Sequence, residues 1–311
     1  MPVLAEPQRA QAANHRPRGI ALRILSVCGF ALMALAIKLA AEDGVNTVEA
    51  IFYRNLFSVP LLLAWIAVGP GFRSLATRRP RAHATRAAIG IVSMLLNFQA
   101  VIMLPLAEST TIGFSAPLFA TILSAVLLGE AVGRRRWTAV ALGFVGVLIV
   151  MRPGGGGAHI PPLGLVVALL SAVGVASVVV TVRQLGTTEP AATTVFWFNC
   201  AALTLSGLAM PLFGSWHAAQ TWPWLVMIGV FGGIAQIAMT ASLRFAPISV
   251  LAPFDYLQLI WATLLGWAVW SIAPTPSTLA GGALIAGSGV WTAWREHRLH
   301  REQVSATPPE I

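Results

Sequence analysis

Residues 152–164 read RPGGGGAHIPPLG, the one long flexible connector in an otherwise apolar chain. A Gly-rich run can cradle phosphate, but that use needs a Lys-Ser or Lys-Thr directly after it, and neither follows here. The stretch therefore reads as a linker between halves. Of the 311 residues 57% are hydrophobic and 10% charged, and mean hydropathy is +0.76, values outside the soluble globular class. A bilayer core of about 30 Å needs on the order of 20 apolar residues per helix. Windows of that length start near Ile20, Val48, Ala87, Ser109 and Trp137 before the linker, and near Leu163, Ala191, Trp222, Ile248 and Thr278 after it. The linker thus divides ten expected spans five and five.

A net charge of +9 and a pI near 11.3 raise the question of nucleic acid. The cations, all Arg except Lys38, cluster in short segments between apolar runs, which reads as membrane topology and not as a phosphate-binding face. With the N-terminus inside, the cytoplasmic segments hold Arg9, Arg16, Arg18 and Arg23, then FRSLATRRPRAHATR, GRRRW, Arg183, Arg244 and the tail REHRLHRE. The opposite loops hold Glu42, Asp43 and Glu108, with Arg152 as their cation. An inner-membrane protein with both termini cytoplasmic is expected. The Arg-rich start followed by an apolar run resembles a signal peptide, but residues 20–41 are long enough to span.

The halves look related. LAESTTIGFSAPLFATILSAVLLG in the first resembles FAPISVLAPFDYLQLIWATLLGW in the second, with Pro117 and Pro253 read as matching mid-helix kinks that gate. VEAIFYRNLF likewise resembles ATTVFWFNCAA, placing Asn55 opposite Asn199. Five spans per half is odd, so the second copy enters from the other side. Inverted repeats around a midplane site are a recurring architecture of secondary transporters. The fold expected is an all-α integral membrane protein of ten transmembrane helices. Its segments are an N-terminal tail (1–19), a first repeat (20–151), a linker (152–162), a second repeat (163–295) and a C-terminal tail (296–311).

FSAPLFATILSAVLLGE, APFDYLQLIWATLLGW and TLAGGALIAGSGVW, together with the ten-span pattern, resemble the drug/metabolite transporter superfamily, specifically its EamA-type members. The resemblance covers about residues 20–295. It implies two EamA repeats, a homodimer as one allowed assembly, and export or exchange of small metabolites such as amino acids and their relatives. FDYLQLIWATLLGW, FYRN and a lysine late in span one are similar to a subgroup that includes proposed carriers of riboflavin and S-adenosylmethionine. One departure stands out: the first repeat has Gly129-Glu130 where the second reads GWAVWSIAPTPST, so a symmetric pair of acids is absent.

An ionised side chain at membrane depth is costly unless it faces a cavity or a partner. Arg54, about a turn and a half inside span two, and Asp255, about two turns inside span nine, meet that description by the helical rise. Each adjoins one of the two tyrosines, Tyr53 and Tyr256. In a shared cavity Arg54 holds a substrate carboxylate and Asp255 faces an amine or a proton, which makes Asp255 the candidate proton carrier. Pairing of Arg54 with Glu49, or of Arg54 with Asp255, is the structural alternative. Asn97, Asn199 and Gln258 are further substrate-binding candidates, and interhelical hydrogen bonding is their alternative use. Lys38 is expected to snorkel to the headgroups. Small residues at four-residue spacing, Ala139 with Gly143 and Ala283 with Gly287, allow close helix packing inside the chain, with a dimer contact as the alternative.

No enzyme can be assembled from these residues. A membrane serine protease needs a histidine at depth, and all six histidines fall in expected loops or tails. An aspartyl type needs two membrane aspartates, and of the two present Asp43 is in a loop. Cys28 and Cys200, both in expected spans, make neither a disulfide framework nor a metal cluster. No cofactor, metal or nucleic acid is expected, and with no nucleotide-binding motor transport must draw on a gradient. The expected function is secondary transport, by alternating access, of an amino-acid-like, flavin or nucleoside-type solute, as exporter or exchanger. A polytopic receptor or scaffold is the alternative.

Overall fold

The computed structural model describes residues 6–128, 133–150, 161–186 and 188–306, so most of the linker lies outside the described residues. Among these the structure is helical without strands. The elements are α1 (Glu6–Glu42), α2 (Thr47–Val68), α3 (Pro80–Met103), α4 (Leu106–Gly113), α5 (Ala116–Leu128) and α6 (Arg134–Val150), then α7 (Pro162–Leu185), α8 (Ala191–Phe213), α9 (Trp222–Ser242), α10 (Ile248–Asp255), α11 (Leu257–Trp270) and α12 (Pro276–Ala306). Among the described residues seven stretches are long and apolar enough to cross a membrane, and Trp137–Val150 is a shorter apolar helix. The expected spans four and nine are each broken in two: Leu106–Leu127 contains α4 and α5, and α10 is followed by α11.

Local chemistry sets the helix starts. Asn46 Oδ1 accepts from the amides of Val48 and Glu49 at 2.9 and 3.1 Å, while Glu49 Oε2 accepts from the Asn46 amide at 2.8 Å. This reciprocal cap satisfies amides left open by the first turn of α2. The turn before it needs Gly44 at φ 88°, a conformation that costs glycine little. Proline opens α3 (Pro80) and α7 (Pro162), where its missing N–H is harmless.

The register of the two halves corrects one sequence-based expectation. Pro105 caps α4 and Pro247 caps α10, and each helix runs 8 residues before its break at Phe114 or Tyr256. Phe119-Ala-Thr then corresponds to Trp261-Ala-Thr. Pro117 is therefore the second residue of α5, whereas Pro253 lies inside α10, and the two prolines do not occupy matching places. The breaks themselves match and touch, with the rings of Phe114 and Tyr256 4.9 Å apart.

The halves interleave. α1 packs along α9, and α3 along α7, so the first helix of each half lies on the third of the other. Both crossings use a glycine: a Cβ on Gly29 would meet Ala235 Cβ at 2.9 Å, and one on Gly174 would meet Ser93 Cβ at 3.0 Å. In lipid, close backbone approach and dispersion replace the hydrophobic drive between helices. α6 and α12 meet the same way: a Cβ on Gly146 would meet the Gly281 carbonyl at 2.8 Å. Of the small pairs read from sequence, Ala139 and Gly143 are buried, Gly143 against Leu118, while Ala283 and Gly287 are exposed.

Candidate functional site

Between the halves lies a cavity of about 330 Å³. Its walls come from α1, α2, α3, α4, α7, α8 and α11, so both halves contribute. Phe30, Phe98, Phe114 and Phe198 supply apolar surface, and Asn97 and Gln258 supply amides. Two cations, Arg54 and Arg86, line it, and no aspartate or glutamate does so among the described residues.

Arg54 is 4% exposed and belongs to α2. Its Nη1 donates to Asn55 Oδ1 at 3.1 Å and to Asn199 Oδ1 at 3.2 Å. Asn55 and Asn199 hold equivalent places in the two halves and adopt one conformation: each Nδ2 donates one turn back, to Ile51 O at 2.7 Å and Val195 O at 2.8 Å. Turning the amide this way points each Oδ1 at the guanidinium. Two acceptors engage both hydrogens of Nη1. Nη2 has a long contact of 3.5 Å to Gln236, and Nε has no hydrogen-bond partner among the described residues. The pairing of Arg54 with Glu49 or Asp255, raised from sequence, does not occur. Glu49 accepts from the amide of Ser215 and lies 3.0 Å from His217 Nε2.

Arg86 was missed by sequence reading, which counted it among the arginines of a cytoplasmic loop. α3 begins at Pro80, well before the apolar window, and places Arg86 roughly 9 Å along the helix by its rise per residue. Pro80 as a helix-starting residue was the available signal. The guanidinium lies 4.6 Å from the centroid of Phe198, a cation–π arrangement. Nε and Nη1 have no hydrogen-bond partner among the described residues. Gly90, one turn on, leaves the necessary room, since a Cβ there would meet the Phe198 ring at 2.7 Å. Both guanidiniums belong to the wall of the same cavity.

The other expected residues divide. Asn97 and Gln258 line the cavity, Asn97 Nδ2 donating to Ser171 at 3.3 Å, and Asn199 reaches it through Arg54. Tyr53, Asp255 and Tyr256 do not line it. Tyr53 sits in the apolar core against Phe57 and Trp222. Tyr256 packs on Phe114 and fills the space over Gly289 of α12. Asp255 is held on both oxygens by Arg23 of α1, from Nε and Nη2. Arg23, counted from sequence with the cytoplasmic arginines of the N-terminal segment, is 9% exposed on that helix. Pro117 and Pro253 are both exposed.

Lys38 does not reach for headgroups. Its Nζ donates to the carbonyls of Val101, Ile102 and Leu104, closing the end of α3. Glu108, expected in a loop, is buried in the first turn of α4 and accepts from Thr278 at 3.0 Å. His83, also expected in a loop, is buried near the start of α3, 3.8 Å from Glu189.

Residues 17–152 and 162–294 each match the EamA-like transporter family. The pseudopaline exporter CntI of Pseudomonas aeruginosa (strain UCBPP-PA14) is 27% identical over 271 residues, 86% of this chain and 93% of that protein. A riboflavin transporter of Rhizobium johnstonii is 28% identical over 287 residues, covering 91% of each. An S-adenosylmethionine uptake transporter of Rickettsia bellii is 23% identical over 84% of this chain and 88% of its own. A solved crystal structure shares the fold with a TM-score of 0.61 at 21% identity, over 88% of this chain and 98% of that one.

Proposed function

Because the chain belongs to the EamA-like transporter family, and is thereby a multi-pass membrane transporter, we propose that it moves a small organic metabolite by gradient-driven alternating access, as an exporter or exchanger. The reading rests on Arg54, a buried guanidinium whose Nη1 bridges Asn55 of one half and Asn199 of the other at the wall of the central cavity. A charge kept at membrane depth and shared between repeats is the arrangement in which a solute changes the balance between two packings of the halves.

In this reading the protein has ten spans, the broken pairs α4–α5 and α10–α11 counting as one each. Both termini are cytoplasmic in the inner membrane, a reading supported by the arginine distribution. Substrate contacts come from Arg54, Asn97 and Gln258, with Asn199 positioning Arg54 and Arg86 added. Asp255 is a clamp between α1 and α10, not a ligand. Exchange of one solute for another needs no titrating carboxylate in the cavity, which favours that mode over proton coupling through Asp255.

The test is a metabolite comparison of cells with and without the protein, followed by counterflow of the identified solute in proteoliposomes. Arg54→Gln is expected to cut flux about tenfold or more, the scale of one charge-assisted pair, while folding is retained. Undiminished flux in Arg54→Gln removes the site assignment. Failure of any solute to move through folded protein replaces transport with a receptor or scaffold role.

A further inference from the structure

The cavity carries two positive charges and among its described lining residues no negative one. Burying a guanidinium is tolerated when donors are satisfied and charge is offset. Arg54 meets half of that condition: its Nη1 is satisfied by neutral amides, which accept hydrogen bonds without cancelling charge, and its Nε is unpartnered among the described residues. Arg86 meets less. Phe198 covers one face of its guanidinium, while its buried Nε and Nη1 have no hydrogen-bond partner among the described residues. The acid whose position in sequence made it the natural counter-charge, Asp255, is taken by Arg23 outside the cavity.

Resting on the transport reading of this cavity, we propose that its substrate is an organic dianion, with two carboxylates on a short, largely apolar body, one for Arg54 and one for Arg86. A planar guanidinium with open donors matches a carboxylate two-pronged, whereas an ammonium or a sulfonium group would meet two like charges. The body between the carboxylates lies along Phe30, Phe98 and Phe114, with Asn97 and Gln258 for polar substituents. A volume of about 330 Å³ sets a small solute. One bound dianion neutralises both cations at once, which gives the loaded carrier a different energy from the empty one and favours exchange of dianion for dianion.

Purified protein in chloride-free buffer is titrated with the straight-chain dicarboxylates malonate to adipate, with the matching monocarboxylates acetate to hexanoate, and with riboflavin and S-adenosylmethionine. Thermal stabilisation is the readout. The expected result is half-saturation by the best dicarboxylate at about a tenth or less of the concentration its monocarboxylate needs, the scale of one additional charge-assisted pair. Arg54→Gln and Arg86→Gln are each expected to erase that preference, and Arg86→Lys to keep part of it. Equal action of mono- and dicarboxylates overturns the proposal, as does absence of dicarboxylate stabilisation or a preference surviving both Gln variants. Counterflow in the same proteoliposomes separates the two readings. Movement of a neutral or cationic solute alone leaves the transporter standing and removes the dianion. Movement of no solute through folded protein removes the transporter.

Discussion

At the scale of single residues, Asn199 shows how a neutral side chain defines a charged site. Its carbonyl oxygen lies 3.2 Å from Arg54 Nη1 and its amide nitrogen is committed to Val195 O. Asn199→Asp keeps the shape and adds the negative charge the cavity lacks. The new ion pair with Arg54 offsets the lost bond to Val195 O, so the variant is expected to melt close to the wild type in detergent and to lose transport by about tenfold or more, because the arginine then has a permanent partner. A melting-point comparison beside proteoliposome flux checks both halves of that statement. Asn199→Ala instead leaves Nη1 short of an acceptor and is expected to cost about 1 kcal/mol, the usual size of a hydrogen bond between membrane helices.

The same scale explains what could be read from residue types. Arg54 and Asp255 were legible as charges because apolar runs enclose them in sequence, although only Arg54 is fully buried and Asp255 is half-buried. Their partners were not, since pairing depends on helix rotation, which sequence spacing leaves open. Arg86 and Arg23 escaped for another reason: Arg86 stands before its apolar window begins and Arg23 in the first turn of its own, so both read as cytoplasmic-side cations, and a helix does not have to start where hydrophobicity does. α3 starts at Pro80, six residues before Arg86, and that offset turned a cavity residue into a supposed loop residue.

Among elements, the clamp between α1 and α10 carries a prediction of its own. Arg23 holds Asp255 in two-pronged fashion just before the break at Tyr256. Removing either partner strands a charge, so Arg23→Ala and Asp255→Ala are each expected to lower the melting point. The exchanged pair Arg23→Asp with Asp255→Arg is expected to recover much of the loss. Recovery measured as a double-mutant cycle is what distinguishes a direct pair from two independent defects.

Helix contacts through glycine give a sharper contrast. A Cβ on Gly281 would meet the Gly146 carbonyl at 2.5 Å, whereas one on Gly287 would meet nothing within 4 Å. Gly281→Leu is expected to destabilise by about 1–3 kcal/mol through overpacking, and Gly287→Leu to leave melting unchanged. Sequence spacing alone flagged Gly287 and passed over Gly281, because a four-residue repeat names a stripe without saying which way it faces. The repeat relation fared better where it followed side-chain chemistry, as with Asn55 and Asn199, than where it followed a proline, as with Pro117 and Pro253.

For the whole molecule, the outline was visible from the start: apolar spans, two halves and a family pattern over nearly the full chain. Arrangement was the hidden part. Nothing in either half states that α1 lies along α9 and α3 along α7, since each contact joins segments far apart in the chain and uses small residues that hydropathy does not weigh. The cavity follows from that interleaving, because its walls come from both halves.

Mutual exchange of first helices makes the two repeats obligate companions, as two hands with laced fingers are. A fragment ending near residue 151 leaves α1 and α3 without the surfaces at Ala235 and Gly174 that they were shaped to meet. Such a fragment, made alone, is expected to be degraded or to pair with a second copy of itself. Co-produced with residues 163–311 it is expected to regain protease resistance and solute flux, so severing the tether matters less than omitting the counterpart.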